Sequence, residues 1–323
     1  MRFGLVSLVA AATIAWLVSA PRAEEKSAKA TKVDRKAGED CPECEACQQG
    51  KVVRLGAVAY SPDAVTIFQN LRFYLKKNKY PVDYVLYCSY DDLVKALHKG
   101  DVDIAWNSPL AHGKYHLLAG GKSQALVMRD VDCGYSIKLI VRKDAGVCKL
   151  SELKGKTMVF GSCDAAEATV LPRYFLAKDG VGFTKDVKVL SLHDEVDDMG
   201  CPCHSEHHVL KALIKGRGQA GIISTGLWNR LAKDEPKEAA KFTVLWTSPK
   251  FSHCVWTAKA TFDKNLGDRF TKLMTTMDKK NPVTAQVLDL EHCGKWVKGS
   301  QEGYADLLKA LEAGKKTVAV GKK

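Results

Sequence analysis

From residue 51 onward, short apolar runs alternate with segments in which apolar residues recur at helical spacing. The runs VVRLGAV, VDYVLY and VDIAW have the length and composition of buried strands. The segments between them, which begin at Ser61 and Tyr90, have helical periodicity. In the first helix, five apolar side chains are predicted to face a core: Val65, Phe68, Leu71, Phe73 and Leu75. The alternation predicts a parallel sheet with helices on its faces.

A second block with the same alternation follows a long apolar segment, GYSIKLIVRKDAG. Another long strand, FSHCVWTAKA, comes after that block and precedes helices predicted near residues 262–275, 281–289 and 301–313. Two α/β blocks joined by two long strands predict a two-lobed protein with a hinge where the strands cross. Ligands of such folds bind between the lobes at the carboxyl ends of strands, and closure about the hinge is the expected motion.

The first 23 residues are predicted to be a signal peptide that is cleaved on export to the periplasm. An apolar run from Phe3 to Val18 follows Arg2 and ends in small residues. A single membrane anchor is the alternative, but the run is short for a span. No later segment has the length and apolarity of a transmembrane helix.

Residues 24–50 are polar and are predicted to form a tail that carries Cys41, Cys44 and Cys47. Their three-residue steps suit either a soft metal or one short disulfide with a spare thiol. After this tail, lobe one is predicted at 51–134 and 256–323. Lobe two is predicted at 135–255, with the hinge strands at its edges.

Composition limits the classes of function. The formal net charge is +12, but the lysines are scattered and no nucleic-acid-binding motif accompanies them, so no nucleic-acid partner is expected. Eleven cysteines in an exported chain favour disulfides, and an odd number leaves at least one thiol for another role. No Ser-His-Asp order, Walker loop or metalloprotease helix occurs, so the chain is predicted not to be an enzyme.

Four stretches together resemble the phosphate, phosphite and phosphonate binding proteins of ABC transporters, which are type II periplasmic binding proteins. They are YDDLVKALHKGDVDIAWNSPLAHGKY, KLSELKGKTMVFGS, LPRYFLAKDG and HHVLKALIKGRGQAGIIS. The resemblance covers about residues 51–310. It implies a two-lobed α/β fold, with two mixed sheets flanked by helices and two crossing hinge strands. It also implies a small ligand in the cleft and an ABC permease as partner.

The chain departs from the family pattern at the cleft. Where the family has hydroxyl residues that hold an oxyanion, ahead of Pro172, this chain has Ala165, Ala166, Glu167 and Ala168. The carboxylate would repel an anionic ligand by roughly 4 kcal/mol at about 4 Å. The family's aromatic residue after Pro-Leu is replaced by His112.

The stretch MGCPCHSEHHVL adds cysteine and histidine just where the resemblance places a helix start in the cleft. Thiolate and neutral imidazole are ligands of soft metals, although capping and solvated histidines are the alternative. We therefore expect a transition metal, namely zinc, copper or iron, in the cleft. The predicted metal ligands are Cys201, Cys203, His204, His207, His208, His112 and Glu167. The predicted ligand-binding residues are Tyr60, His112, Asp164, Glu167, His207 and His208.

The resemblance also places Cys133 and Cys254 on adjacent crossing strands, which favours a disulfide between them over two buried thiols. The function expected overall is a periplasmic solute-binding protein of an ABC uptake system, with a cleft adapted to a metal or metal complex. A phosphate- or phosphonate-type oxyanion is the alternative ligand. A metal-handling or redox protein, and a partner of a sensor, are the alternatives without transport.

Overall fold

A computed structural model describes residues 52–163, 165–183, 186–192 and 205–320, the last six of these as backbone only. The predicted signal peptide and the cysteine-containing tail lie outside the described residues. All the described residues belong to one compact unit.

The first described block alternates strands and helices as the apolar pattern predicts. Ser89 and Ser108 are the N-caps of two of its helices. Their side chains accept hydrogen bonds from Asp92 N and Ala111 N, which are amides without a partner inside the helix. One of these helices ends at Gly100, which has a φ of 85° that suits glycine. The elements are β1 (Val53–Val58), α1 (Ala64–Lys77), β2 (Val82–Tyr87), α2 (Tyr90–Lys99), β3 (Ile104–Asn107), α3 (Pro109–Leu118) and β4 (Ser123–Arg129).

The second block builds the other sheet. A wide π-type turn, Ala166–Val170, leads directly into the helix that starts at Leu171. Such turns are rare and occur often at functional sites. The elements are β5 (Ile137–Arg142), β6 (Thr157–Phe160), α4 (Leu171–Lys178), β7 (Lys188–Ser191), α5 (Ser205–Ile214), β8 (Ala220–Ser224), α6 (Thr225–Asp234), α7 (Pro236–Ala239) and β9 (Phe242–Thr247).

The last part of the described chain returns to the first sheet. Its elements are β10 (Val255–Lys259), α8 (Lys264–Thr275), α9 (Pro282–Leu290), β11 (Trp296–Lys298) and α10 (Ala305–Val320). Among the described helices, none combines the length and the apolarity that a bilayer span requires.

The strands form two mixed sheets. The six-stranded sheet has the order β11-β4-β10-β3-β1-β2, and the five-stranded sheet has the order β7-β6-β8-β5-β9. In the first, β1 is parallel to β2 and β3, while β10 is antiparallel to β3 and β4. In the second, β6 is parallel to β7 and β8, while β5 is antiparallel to β8 and β9. We call the first sheet with its helices lobe one and the second lobe two.

The chain crosses between the lobes twice, at residues 130–136 and 248–254, and we call these two segments the hinge. They are bonded to each other: Tyr135 and Phe251 exchange backbone hydrogen bonds of 2.8 and 2.9 Å, and His253 N donates to Asp132 O at 2.9 Å. The predicted architecture of two mixed sheets joined by two crossings is confirmed.

One detail of the predicted core is wrong. Val65 and Phe73 are 48% and 57% exposed. The buried face of α1 consists of Ala64, Ile67, Phe68, Leu71 and Leu75. These positions repeat at three- and four-residue steps, which place them on one side of the helix, and Val65 and Phe73 fall outside that stripe.

Candidate functional site in the hinge

In both sheets, strands end at the hinge with their carboxyl ends. In lobe one, Asn107 ends β3 opposite Val255, the first residue of β10. In lobe two, Ser224 ends β8 opposite Ile137, the first residue of β5. Side chains just beyond these strand ends therefore gather around residues 130–136 and 248–254, which is where ligands bind in open α/β sheets.

On the lobe-one side, a buried carboxyl joins two elements to the hinge. Glu291, at the end of α9, is only 3% exposed. Tyr60 Oη donates a 2.5 Å hydrogen bond to Glu291 Oε1, and Arg129 Nη1 donates to Glu291 Oε2 at 3.2 Å. Burial raises the pKa of Glu291 in spite of the positive charge of Arg129. These bonds fix the guanidinium of Arg129 at the start of the hinge.

Arg129 also holds the first hinge segment. Its Nε and Nη2 donate to the two carboxylate oxygens of Asp132 at 2.6 and 2.9 Å. Asp132 is 1% exposed. Burial acts to raise the pKa of Asp132, but the charge of Arg129 and hydrogen bonds from His253 and Arg129 outweigh it and lower the pKa to about 2. Asp132 is therefore a carboxylate at any physiological pH.

His253, in the second hinge segment, continues the network. Its Nδ1 lies 3.0 Å from Asp132 Oδ1 and 3.2 Å from Cys254 Sγ. Its ring stacks on Tyr135, with centroids 4.4 Å apart and an interplanar angle of 21°. Burial acts to lower the pKa of His253, but Cys254, Asp132 and Glu167 raise it well above its usual value. The imidazole is therefore a cation at neutral pH, and its Nδ1–H donates to Asp132.

Glu167 completes the network from lobe two. Its Oε2 lies 3.5 Å from His253 Nε2, and its side chain is 21% exposed. Burial acts to raise the pKa of Glu167, but the hydrogen bond and the charge of His253 lower it below its usual value. A chain of polar contacts thus runs from Tyr60 in lobe one, through the hinge, to a carboxylate of lobe two.

Comparison with known proteins assigns the family. A family model described as "ABC transporter, phosphonate, periplasmic substrate-binding protein" matches residues 57–304. The chain belongs to this phosphonate-binding family. Its members are transport binding proteins, in agreement with the prediction that the chain is not an enzyme, and the family implies the periplasm and a permease partner.

Relatives of the phosphonate-binding family agree in sequence and fold. The chain is 24% identical over 274 residues to the probable ABC transporter phosphite binding protein PhnD1 of Prochlorococcus marinus (strain MIT 9301), covering 80% of this chain and 88% of that protein. The structure of PhnD1 in complex with methylphosphonate has a TM-score of 0.61 and 20% identity, covering 82% of this chain and 99% of that one.

A second solved structure has a similar fold. The binding protein component of an ABC phosphonate transporter, PA3383 from Pseudomonas aeruginosa, has a TM-score of 0.53 and 17% identity, over 84% of this chain and 99% of that one. The predicted type II periplasmic binding protein fold is confirmed.

The structure places two of the predicted ligand-binding residues in the hinge network, namely Tyr60 and Glu167. His112 lies elsewhere. It is fully buried inside lobe one, with Nδ1 2.9 Å from Thr257 Oγ1 and Nε2 2.9 Å from Gln301 Oε1. Both ring nitrogens are thus committed within lobe one, so the structure does not support His112 as a metal ligand.

The remaining predicted residues belong to the segment that leads into α5. His207 and His208 lie in its first turn, and His208 is buried. Asp164, Cys201, Cys203 and His204 lie outside the described residues. In the same helix, Glu206 Oε2 accepts a 2.6 Å hydrogen bond from Ser224 N, which ties the start of α5 to the end of β8.

The predicted metal set does not come together among the described residues. One group of three ligating side chains there lies close enough to hold an ion, with ligand atoms within 4.8 Å of one another, and it consists of Asp132, His253 and Cys254. The family comparison gives no support to a metal-adapted cleft and favours an oxyanion ligand. The expectation of a metal as the main ligand is therefore corrected.

The predicted disulfide is wrong as well. Cys133 and Cys254 are free thiols, as are Cys88, Cys148 and Cys293. The two side chains face different surroundings. Cys133 is exposed and its Sγ lies 3.7 Å from Arg129 O, whereas Cys254 is partly buried beside the imidazole of His253.

Most of the network was missed from sequence. Four of its members were not among the predicted residues, namely Arg129, Asp132, His253 and Glu291. The first and the last of these are 162 positions apart in the sequence. Asn107 was also missed. It is completely buried, and within the described structure neither its Nδ2 nor its Oδ1 has a hydrogen-bond partner.

Proposed function

We propose that this protein is the periplasmic binding component of an ABC uptake system for a phosphonate-type oxyanion, which it delivers to a membrane permease. The family match supports a small ligand of this class. Residues 1–23 would export the chain as a cleaved signal peptide, and N-terminal sequencing of the exported protein tests that step.

The observation that carries the proposal is the position of His253 in the hinge, between two carboxylates. Its Nδ1 is fixed by the buried Asp132, while its Nε2 contacts the partly exposed Glu167. An oxyanion oxygen is an acceptor of the same kind as a carboxylate oxygen, so it can replace Glu167 as the acceptor of this N–H. His253 is thus a cationic donor available to a ligand that enters between the lobes.

A transition metal is the second candidate ligand, because Asp132, His253 and Cys254 form a three-ligand group. Two features make it the weaker candidate. Arg129 already holds both carboxylate oxygens of Asp132, and a metal must displace the proton from Nδ1 of His253. The oxyanion requires neither change.

Calorimetry on the full mature chain tests the proposal. The demetallated protein is titrated at pH 6.5 with methylphosphonate, phosphite, phosphate, zinc and copper. We expect micromolar or tighter binding of at least one of the three oxyanions. A protein that binds zinc or copper at micromolar concentration and none of the oxyanions would contradict the proposal and favour the metal.

Two histidine variants locate the site. His253→Gln removes the cation and one charged hydrogen bond, which contributes about 1.5–3 kcal/mol, so oxyanion affinity should fall about 10- to 100-fold. His98→Gln is the matched control, because His98 is exposed in the last turn of α2. Equal affinities of the two variants would show that the ligand binds away from the hinge.

A further inference from the structure

Glu167 gives the cleft an acceptor where an oxyanion site needs donors. Its carboxylate belongs to the π-type turn at the start of α4 and contacts the hinge cation His253. An ionised carboxylate accepts hydrogen bonds and donates none. An oxyanion oxygen without a proton is also only an acceptor, so the two repel each other. A ligand oxygen that carries a proton can instead donate to Glu167.

The described cations near Glu167 already have carboxylate partners. The cations Arg129 and His253 are paired with the carboxylates Asp132 and Glu167. Glu206 of α5 adds a further carboxylate that acts on the neighbouring Tyr135. A doubly charged anion would therefore bring two negative charges to a described site whose cations already have carboxylate partners, at high cost where the site is partly buried.

Two described tyrosines beside Glu167 add no positive charge. Tyr90 of α2 and Tyr135 of the hinge both interact with Glu167 electrostatically, and burial raises the pKa of each phenol, so both stay neutral. Helix α10, which also packs against the π-type turn, contributes the apolar Leu307 and Leu311. The surroundings therefore favour a ligand with one negative charge, or none, over a dianion.

Asn107 adds a polar side chain without partners at the hinge end of β3. It ends β3 opposite Val255, two residues after His253, and both of its amide atoms lack partners within the described structure. A buried amide without hydrogen-bond partners is unfavourable, because it has lost the hydrogen bonds that water would provide. A ligand oxygen that bears a proton can satisfy both atoms, since it accepts from Nδ2 and donates to Oδ1.

We propose that Glu167 makes this cleft selective for oxyacids that still carry a proton, such as the monoanion of a phosphonate. This inference rests on the proposed function. In the complex, the ligand hydroxyl donates to Glu167, and an unprotonated oxygen of the same ligand accepts from His253 Nε2. Oxyanions of similar shape that have lost every proton are rejected.

Two ligands of matched shape test the selectivity. Methylphosphonate keeps one proton at pH 6.0 and loses it above neutral pH, whereas methanesulfonate has the same single charge at pH 6.0 and no proton. Calorimetry at pH 6.0 and 8.5 compares the wild type, Glu167→Gln and the control Glu152→Gln. Glu152 pairs with Lys149 in the segment that precedes β6. This is the end of the strand that lies away from the hinge. Thermal unfolding verifies that each variant is folded.

We expect the wild type and Glu152→Gln to bind methylphosphonate about 100-fold more tightly than methanesulfonate at pH 6.0. Methylphosphonate affinity should fall by up to about tenfold per pH unit once the ligand loses its proton. Methanesulfonate does not change its charge between pH 6.0 and 8.5, so any change in its affinity measures titration of the protein itself. In Glu167→Gln, whose amide can donate, methanesulfonate should gain at least about tenfold and the pH dependence of methylphosphonate should shrink.

Three results would overturn the inference. Equal wild-type affinities for the two ligands would show that no proton is recognised. A preference that persists unchanged in Glu167→Gln would show that another residue recognises it. In both cases the proposed function stands. Failure of the wild type to bind any of the phosphonate-class oxyanions at either pH would overturn the proposed function and this inference together.

Discussion

Glu167 Oε2 of lobe two lies 3.5 Å from Nε2 of His253 in the hinge. The opposite nitrogen of the same ring is bonded to Asp132, which is 1% exposed, whereas Glu167 is 21% exposed. One carboxylate therefore fixes the orientation and the charge of the imidazole from the inside. The other meets it from the solvent side, where a ligand can compete.

The buried side of this arrangement predicts how acid affects stability. The folded pKa of Asp132 is about 2, below the unfolded value of about 3.9, so its contribution is present above pH 4 and is lost as the pH falls toward 2. We expect Asp132→Asn to lower the free energy of unfolding by about 3 kcal/mol at pH 7. The loss should be about 1 kcal/mol smaller at pH 3.

Urea denaturation at the two pH values measures this difference. Asp144→Asn is the matched control, because Asp144 pairs with Arg142 at the surface and should change little at pH 7. A loss for Asp132→Asn that is as large at pH 3 as at pH 7 would contradict a lowered pKa for Asp132.

His112 predicts a second pH effect, with its origin inside lobe one. Burial lowers its folded pKa to about 4, whereas the unfolded side chain takes up a proton near pH 6.5. Between pH 6.5 and 4 the unfolded state binds more protons, so stability falls as the pH falls. The wild type should lose about 2 kcal/mol through this residue between pH 7 and pH 5.

His112→Gln should remove that part of the pH dependence, although it lowers stability at pH 7 by disturbing the bonds to Thr257 and Gln301. Urea denaturation at pH 7 and 5 provides the comparison. His98→Gln, which changes an exposed histidine, should leave the drop as in the wild type. If His112→Gln loses as much stability as the wild type over this range, another group causes the drop.

The free thiols predict a labelling pattern that a disulfide would forbid. Cys133 and Cys148 are exposed, while Cys293 is 6% exposed and burial raises its pKa to about 12. We expect iodoacetamide to modify Cys133 and Cys148 in the folded protein and Cys293 only after unfolding, because the thiolate is the reactive form. Peptide mapping without reductant should find no link between Cys133 and Cys254, and a peptide that joins them would contradict the structure.

The fold was predictable where periodicity is local and strong. The alternating runs gave β1, β2, β3 and the helices between them, because each carries its own apolar pattern. Two strands were missed. SQALVMR, which forms β4, does not alternate between apolar and polar residues, and β11 has only three residues. Their pairing depends on strands far away in the sequence, which no local pattern encodes.

The site was less predictable for the same reason. Glu167 was predicted because the family resemblance points to its position, and Tyr60 because it is an aromatic residue at a strand end. Arg129 and Glu291 meet only after the chain has built lobe two and returned. The histidine-rich stretch at the start of α5 attracted attention by its composition and by the place that the family resemblance gives it. The hinge cation His253 stands in a segment with one histidine and no motif.

The contact between Glu167 and His253 predicts that closure is electrostatically assisted even without ligand. Both side chains are partly exposed, so solvent screens the pair and its contribution is about 1 kcal/mol, or about fivefold in the ratio of closed to open molecules. Glu167→Ala should therefore raise the radius of gyration of the ligand-free protein in small-angle scattering. High salt should expand the wild type in the same direction and leave Glu167→Ala nearly unchanged, since screening weakens only a pair that is present. Saturating methylphosphonate should compact the wild type. Identical profiles for the wild type and Glu167→Ala at low salt would show that the pair does not influence closure.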